Sequence, residues 1–183
     1  MALKALINID YTFDFVADEG ALSCGKPGQE IENEIVGITN QFIENGDLVV
    51  FAVDVHEKDN PYHPETKLFP PHNIRNTAGR RLYGKLQNTY ETHKNRENVF
   101  FLDKTRYSAF AGTSLELILR ERGIQELHLV GVCTDICVLH TAIDAYNKGF
   151  QIVIYENAVA SFNEAGHHWA LQHFENTLGA RVI

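Results

Sequence analysis

Three residues that can do chemistry together lie at the ends of apolar segments of the sequence. Cys137 follows the apolar run that ends at Val132 and precedes a helical pattern, which predicts a thiol on the first turn of a helix. We expect the positive end of the helix dipole to lower the pKa of Cys137 and to raise its thiolate fraction. Asp10 and Lys104 each end an apolar strand pattern. Because open α/β sheets bind ligands outside the carboxyl ends of their strands, the three side chains are interpreted as nucleophile, base and positioning group of an enzyme.

The turn before Cys137 also offers hydrogen-bond donors. A tight strand-to-helix turn directs successive backbone N–H groups towards one point, so those of Cys133 and Cys137 are candidate donors to an oxyanion. Each residue alone has an ordinary explanation. Cys24 and Cys133 can be small buried apolar side chains, and an aspartate after a strand often caps a helix. Only the presence of thiol, carboxylate and amine at three strand ends favours catalysis.

A second group of polar residues follows the apolar strand predicted at 48–54. Asp54 and His56 are two positions apart on an extended segment, so their side chains face the same way and can converge on one ion. His72 comes after two prolines in a long loop at 55–79 and can approach the same point. Imidazole and carboxylate together suit Zn²⁺, Mn²⁺ or Fe²⁺. The alternative is a surface loop whose histidines are incidental.

Aromatic residues lie near both groups in the sequence. They are Phe13, Phe15, Phe69 and Tyr107. Flat side chains around a nucleophile favour a flat aromatic substrate, although each of these rings could equally fill the core.

The segments between these residues alternate between strand and helix patterns. Strands are predicted at about 4–10, 48–54, 98–103, 127–132, 150–155 and 180–183. Helices are predicted at about 27–45, 80–93, 113–122, 139–148 and 164–177. Right-handed crossovers cover both faces of such a sheet, which predicts an α/β fold: a three-layer α/β/α sandwich with a six-stranded parallel, Rossmann-like sheet. No linker or repeat divides the sequence, so residues 1–183 are interpreted as a single domain.

Composition limits the partners of the chain. Its 183 residues carry a net charge of −8, which argues against binding the phosphate backbone of a nucleic acid and suits a small ligand. The sequence contains no apolar run of membrane-spanning length and no signal pattern before the first strand, so we expect a cytoplasmic protein without a membrane partner. Three cysteines, an odd number, argue against a disulfide scaffold.

Five stretches of the sequence, in the same order, resemble the isochorismatase-like cysteine hydrolases and specifically the bacterial nicotinamidases of that family. The stretches are 9–16, 53–56, 67–72, 103–110 and 131–138. The resemblance implies the three-layer sandwich and a catalytic triad of Asp10, Lys104 and Cys137. It also implies a cis peptide bond before Cys133, which would aim the N–H of that residue at the oxyanion.

The resemblance further implies which residues hold the metal and the substrate. One divalent transition metal ion, Zn²⁺ foremost, would be bound by Asp54, His56 and His72, with Glu65 as a fourth contact made directly or through water. The implied substrate contacts are Phe15, Phe69, Tyr107, Val132 and Cys133.

The activity implied by the resemblance is hydrolysis of nicotinamide to nicotinate and ammonia, in NAD salvage. Cys137 would form a thioester while the ion orients the pyridine ring, and pyrazinamide would be deamidated in the same way. Related enzymes imply a homo-oligomer, either a dimer or a tetramer. Three alternatives stay open: an amidase for another small amide or ureido compound, a redox-sensing thiol protein, and a homologue that binds ligands without catalysis.

Overall fold

Six parallel strands form one sheet in the computed structural model, which describes residues 3–183. The strands are β1 (Lys4–Ile9), β2 (Leu48–Asp54), β3 (Val99–Lys104), β4 (Glu126–Val132), β5 (Gln151–Ala160) and β6 (Arg181–Val182). Their order across the sheet is β3-β2-β1-β4-β5-β6, and every neighbouring pair is parallel. The predicted six-stranded parallel sheet is therefore confirmed.

Helices cover both faces of this sheet. They are α1 (Phe13–Val16), α2 (Lys26–Glu30), α3 (Glu32–Glu44), α4 (Gly84–His93), α5 (Leu115–Glu121), α6 (Leu139–Asn147) and α7 (Glu164–Asn176). Alternate residues of β1 belong to opposite cores: Ile7 packs in the core shared with α5, α6 and α7, and Leu6 in the core shared with α3 and α4. The three-layer α/β/α arrangement is as predicted. Within residues 3–183, no helix combines the length and the apolar character needed to cross a membrane.

The helix predicted at 27–45 is interrupted near its start. Ile31 separates α2 from α3 and donates its N–H to the carbonyl of Gln29 instead of to a carbonyl one full turn back. The hydroxyl of Tyr11 donates a hydrogen bond to the carbonyl of Gly28 at 2.6 Å, so that carbonyl has a partner outside the helix. Apolar periodicity alone could not indicate this break, because the break depends on a contact from Tyr11 in the loop that follows β1.

Strand β5 continues well past its predicted end at residue 155. Polar residues occupy its middle, so the apolar run in the sequence stops early. Pairing with β4 is irregular there: Leu129 pairs with Ile154, and the next pair joins Gly131 with Val159. Irregularities of this kind are common beside functional sites.

The carboxyl ends of four neighbouring strands meet at one edge of the sheet. Asp10 follows β1, Asp54 and Lys104 are the last residues of β2 and β3, and Cys133 follows β4. The chain runs from β1 outward to β3 and then returns to place β4 on the other side of β1. This is the topological switch point at which open α/β sheets bind ligands. The strand ends singled out from the sequence therefore lie together.

Gly131 allows β4 to approach β1 closely at this switch point. Its φ is 119°, and a Cβ at this position would lie 2.0 Å from the carbonyl oxygen of Ile9. Any side chain would therefore push the two central strands apart.

We expect Gly131→Ala to lower the free energy of unfolding by about 3 kcal/mol, because the added Cβ meets backbone and the dihedral angle disfavours alanine. Gly37→Ala in α3 is the matched control, since nothing lies within 4 Å of a Cβ there. Helix propensity should make that variant more stable by up to about 1 kcal/mol. Urea unfolding followed by circular dichroism measures both, and equal midpoints for the two variants would contradict the expectation.

Candidate active site

Asp10 is fixed at the end of β1 by hydrogen bonds to β2. Its φ of 53° lies in the left-handed region that few non-glycine residues adopt. Its N–H donates to the carbonyl of Ala52 at 3.1 Å, and its Oδ1 accepts the N–H of Asp54 at 2.7 Å. The side chain is completely buried. These contacts leave Oδ2 directed towards Lys104.

Lys104 brings its ammonium group to the centre of the site. The Nζ atom lies 2.6 Å from Asp10 Oδ2, 3.4 Å from Asp54 Oδ1 and 3.7 Å from Cys137 Sγ. It also donates to the carbonyl of Arg106 at 3.1 Å. The side chain has no exposed surface. The structure thus brings together the carboxylate, the amine and the thiol that the sequence singled out.

Cys137 lies in a short π-helical turn between β4 and α6. The turn spans Thr134–Val138, and the carbonyl of Cys133 closes it by accepting the N–H of Val138 at 3.1 Å. The peptide bond between Val132 and Cys133 is cis, as the resemblance implies. The thiol is buried beneath this turn and faces the ammonium group.

Two carboxylates compete for the single ammonium group. Burial alone would lower the pKa of Lys104, but Asp10 and Asp54 raise it well above its usual value, so the amine is protonated. Burial raises the pKa of Asp10 to about 6, with Lys104 opposing the shift and Asp54 adding to it. Asp10 is therefore a group of this cluster that can take up and release a proton near neutral pH.

The predicted lowering of the Cys137 pKa is wrong in direction. Burial raises the pKa of this thiol well above its usual value, Lys104 lowers it, and the charges of Asp10 and Asp54 raise it further. The helix-dipole argument took no account of complete burial or of two nearby carboxylates. The resting thiol is protonated, so an attack by its sulfur requires an adjacent base.

The second group of predicted residues also converges. Four buried side chains each place one ligand atom within 4.8 Å of the others: Asp54, His56, Glu65 and His72. His56 Nε2 lies 2.9 Å from Asp54 Oδ2 and 4.0 Å from Glu65 Oε2. His72 Nε2 lies 3.5 Å from Glu65 Oε2 and 3.8 Å from Asp54 Oδ2. Two imidazoles and two carboxylates thus surround one point.

The tautomer of His72 suits an ion at that point. Its Nδ1 donates to the carbonyl of Pro70 at 2.8 Å, so a neutral ring has its lone pair on Nε2. That Nε2 atom is buried and has no hydrogen-bond partner among the described residues. A buried nitrogen lone pair beside two carboxylates is the donor set of a transition-metal site.

The charges of the cluster also favour a cation. Burial would raise the pKa of Asp54, but Lys104 and the imidazoles of His56 and His72 lower it below its usual range, so the carboxylate is ionised. Burial would lower the pKa of His72, but the carboxylates of Asp54 and Glu65 raise it to about 10. The raised pKa of His72 indicates a negative potential at its ring, to which the ionised Asp54 contributes, and a metal ion would take the place of the His72 proton.

His63 connects this cluster to the end of β3. Its Nε2 donates to the carbonyl of Thr105 at 2.7 Å, and its Nδ1 accepts the N–H of Glu65 at 3.3 Å. Both nitrogens are engaged with protein atoms, so His63 is not a candidate ligand. The ring packs against His56 with a centroid separation of 4.3 Å. His63 lies within the long loop predicted at 55–79, and no local pattern in the sequence indicates this role.

Two further contacts of the site were not predicted. The Nε of Arg80 donates to the carbonyl of Asp54 at 2.9 Å, and its guanidinium group pairs with Asp103. Asn73, which follows the last candidate ligand, donates its N–H to the carboxylate of Asp14 at 2.7 Å. These contacts join residues that are far apart in the sequence, so no local sequence pattern could predict them.

The phenylalanines singled out from the sequence differ in burial. Phe15 is buried, and its ring centroid lies 5.2 Å from that of His72. Phe69 is half-buried, with its centroid 6.3 Å from that of His72. Phe13 is exposed and is not among the ring contacts of the cluster. A cavity of about 140 Å³ opens beside the cluster, and its wall includes His56, Glu65, Phe69 and His72.

Tyr107 is close enough to both groups of polar residues to be affected by their charges. Its side chain is half-buried, and burial raises the pKa of its hydroxyl, with further contributions from the nearby Glu65 and Cys137. Val132 and Cys133 are buried directly before the π-helical turn. That these residues contact a substrate stays a prediction.

Comparison with known proteins gives matches along nearly the whole chain. Residues 4–183 match the model of the isochorismatase domain family. A curated protein of Bacillus subtilis strain 168, called uncharacterized isochorismatase family protein PncA, is 65% identical over 179 residues, which are 98% of each chain.

Comparison with solved structures shows that the similarity also holds for the fold. The crystal structure of nicotinamidase/pyrazinamidase PncA from Bacillus subtilis has a TM-score of 0.97 at 68% identity, over 98% of each chain. Pyrazinamidase/nicotinamidase from Streptococcus mutans UA159 has a TM-score of 0.96 at 54% identity, over 98% of this chain and 99% of that one. Pyrazinamidase of Pyrococcus horikoshii, solved in complex with zinc, has a TM-score of 0.86 at 28% identity, over 99% and 98%. The chain belongs to the isochorismatase family.

Proposed function

We propose that the chain is a nicotinamidase, an amidohydrolase that converts nicotinamide to nicotinate and ammonia in NAD salvage. One observation carries the proposal: the ammonium group of Lys104 contacts both Cys137 and Asp54. The thiol and the candidate ion site therefore lie on adjacent sides of one side chain. A small ligand with a carboxamide and a basic nitrogen on one aromatic ring can reach both, and nicotinamide has that form. The names of the relatives from Bacillus subtilis and Streptococcus mutans support the same substrate.

Asp10, Lys104 and Cys137 are the proposed catalytic residues of the first half-reaction. Asp10 accepts the thiol proton as the Cys137 sulfur attacks the amide carbon, and the charge of Lys104 stabilises the developing thiolate. The backbone N–H groups of Cys133 and Cys137 donate to the oxyanion. Asp10 then gives its proton to the departing nitrogen. Ammonia leaves, and a nicotinoyl thioester remains on Cys137.

The second half-reaction uses the same base. Asp10 is a carboxylate again once ammonia has gone, so it can accept a proton from the water that attacks the thioester. Nicotinate leaves as the carbon–sulfur bond breaks, and the proton returns to the sulfur of Cys137. The raised pKa of this thiol favours that return.

We propose that Asp54, His56, His72 and Glu65 hold one divalent transition metal ion, with Zn²⁺ preferred over Mn²⁺ or Fe²⁺. When bound, the ion supplies a Lewis acid that can fix the ring nitrogen of the substrate. The donor set supports this choice, as does the zinc complex of the Pyrococcus horikoshii relative. Direct binding by Glu65, or binding through water, stays a prediction.

Of the remaining proposed substrate contacts, Phe69 lines the cavity beside the ion cluster. The ring would lie among Phe15, Phe69 and Tyr107, and the carboxamide against the backbone of Val132 and Cys133. Pyrazinamide has a ring nitrogen in the same place, so we expect it to be deamidated as well.

Three broader predictions concern the domain, the assembly and the location of the chain, and of these only the assembly rests on the family resemblance. We propose that residues 1–183 act as one domain, which the single sheet supports. A homodimer or homotetramer is proposed, and sedimentation equilibrium would measure its mass. The cytoplasmic location also stays a prediction.

We expect the metal-containing protein to release ammonia from nicotinamide with a kcat/KM about 10²-fold or more above that for benzamide, which lacks the ring nitrogen. A chelator should remove most of this preference, and added Zn²⁺ should restore it. A carbamoyl compound in the same assay tests the alternative amidase. Equal kcat/KM for benzamide and nicotinamide would contradict a contact between the ring nitrogen and an ion.

Cys137→Ala should lower kcat by a factor on the order of 10⁴ or more, because no thioester can form. Its metal content and its binding of nicotinamide should persist, since Cys137 is not in the ion cluster. Ammonia release and titration calorimetry measure the two effects. Substantial remaining turnover would rule out the covalent route.

His56→Ala should lose most of the bound metal and weaken nicotinamide binding, because it removes one of four ligands. His168→Ala is the matched control: this histidine is exposed on α7, outside the cluster, and its removal should leave one metal per chain. Metal analysis after gel filtration gives the stoichiometry. A His56→Ala protein with unchanged metal content would exclude this site.

A further inference from the structure

Two buried thiols that the proposed hydrolysis does not use are in contact. Cys24 Sγ lies 3.4 Å from Cys133 Sγ, although the two residues are 109 positions apart in the sequence. Both are free cysteines, and their exposed fractions are 5% and 4%. The mechanism requires the backbone N–H of Cys133 but not its thiol, and it gives no role to Cys24.

The backbone around each thiol is fixed. The N–H of Cys24 donates to the carbonyl of Phe15 at 2.8 Å, and Gly28 leaves room for its Cβ, which a Cβ at that glycine would approach to 3.1 Å. The carbonyl of Cys133 accepts N–H groups from Ile136 and Val138, both at 3.1 Å. The sulfur contact therefore joins two well-held segments and is not a chance approach of loose side chains.

One of the two cysteines borders a surface groove. The groove has a volume of about 860 Å³, and Cys24 forms part of its wall, whereas Cys133 does not. Acidic side chains, among them Glu30, Glu34 and Glu156, also line it. A small neutral oxidant can enter such a groove, while anionic reagents are repelled.

We propose that Cys24 and Cys133 form a disulfide on reaction with a hydroperoxide, such as hydrogen peroxide, and that this bond reversibly lowers the hydrolytic activity. The sulfur of Cys24 attacks the peroxide, the O–O bond breaks, and the products are a sulfenic acid and water. The sulfur of Cys133 then attacks the sulfenic sulfur. The S–S bond forms, the S–O bond breaks, and hydroxide leaves with the Cys133 proton as a second water. Two thiols are oxidised by two electrons, and the peroxide is reduced to water.

The order of the two thiols follows from their surroundings. The contact with Cys24, together with burial, raises the pKa of Cys133 well above its usual value, which disfavours Cys133 as the first nucleophile. Cys24 reacts first because it borders the groove that the oxidant enters. Cys133 is already in contact with it and resolves the sulfenic acid.

The bond would disturb the active site through Cys133. A disulfide has an S–S distance of about 2.05 Å, so the two sulfur atoms must move more than about 1 Å closer than their present contact. Cys133 carries a proposed oxyanion donor, and donors of this kind act only when correctly placed. The loss of activity therefore rests on the proposed function, whereas formation of the disulfide does not.

The first experiment isolates the disulfide. Cys137→Ala leaves Cys24 and Cys133 as the two cysteines of the chain, since the sequence contains three. This variant is treated with hydrogen peroxide, its free thiols are alkylated in denaturant, and the digest is analysed by mass spectrometry. We expect a Cys24–Cys133 peptide pair two hydrogens lighter than its reduced parts, which dithiothreitol abolishes. Two fully alkylated cysteines, or separate sulfinic acids without the pair, would overturn the proposal.

The second experiment measures the effect on activity. Wild type and Cys24→Ser are treated with increasing peroxide, and ammonia release from nicotinamide is measured before and after dithiothreitol. Cys24→Ser should keep its basal activity and need at least about fivefold more peroxide for half-inactivation, because it cannot form the disulfide and is inactivated only by the direct oxidation of Cys137 that both proteins share. Cys24→Ala serves in its place if the serine variant misfolds. Equal sensitivity of variant and wild type would overturn control of activity by the disulfide. Absence of activity in untreated wild type would contradict the proposed function alone, and the mass analysis would still decide the disulfide.

Discussion

The buried ammonium group of Lys104 is the interaction on which the rest of the site depends. A cation in an apolar interior is strongly unfavourable unless opposite charges and hydrogen-bond acceptors surround it. Here Asp10 and Asp54 supply the charges, and the carbonyl of Arg106 and the thiol of Cys137 complete the surroundings. These partners come from separate segments of the chain. The ammonium group is satisfied only when the ends of β1, β2 and β3 and the turn after β4 are adjacent, and the strand order β3-β2-β1-β4 makes them so.

The same arrangement divides the acidic groups by function. Asp54 lies between Lys104 and two imidazoles and stays ionised, as a metal ligand must. Burial raises the pKa of Asp10 to about 6, with the same amine opposing the shift and the charge of Asp54 adding to it. Cys137 is buried beside both carboxylates and keeps its proton. In the proposed mechanism, formation of the nucleophile is therefore coupled to proton transfer to Asp10. That transfer becomes favourable when a bound carbonyl group offers the negative charge a stabilised position on oxygen.

Reasoning from strand ends accounts for most of what the sequence predicted correctly. Asp10, Asp54 and Lys104 each end an apolar run, and a parallel sheet necessarily brings such ends to one edge. Whether these residues catalyse and bind as proposed stays a prediction. The direction of the Cys137 pKa shift depends on burial and on the number of nearby carboxylates, which exist only in the assembled fold. His63 illustrates the same limit, because its bond to Thr105 joins residues 42 positions apart and no local pattern reports it.

The proposed metal site is built on an irregular loop, so some other structure must hold its ligands in place. The backbone of His56 pairs with Ile74 in an isolated parallel bridge, so the segments that carry His56 and His72 are hydrogen-bonded to each other. His63 ties the turn that carries Glu65 to the end of β3. The ligands are therefore positioned through the sheet before any ion binds, which reduces the conformational entropy lost on binding. Because the strand ends also position the ammonium group and the thiol, a substrate held by an ion at the proposed site would also be fixed relative to the proposed nucleophile.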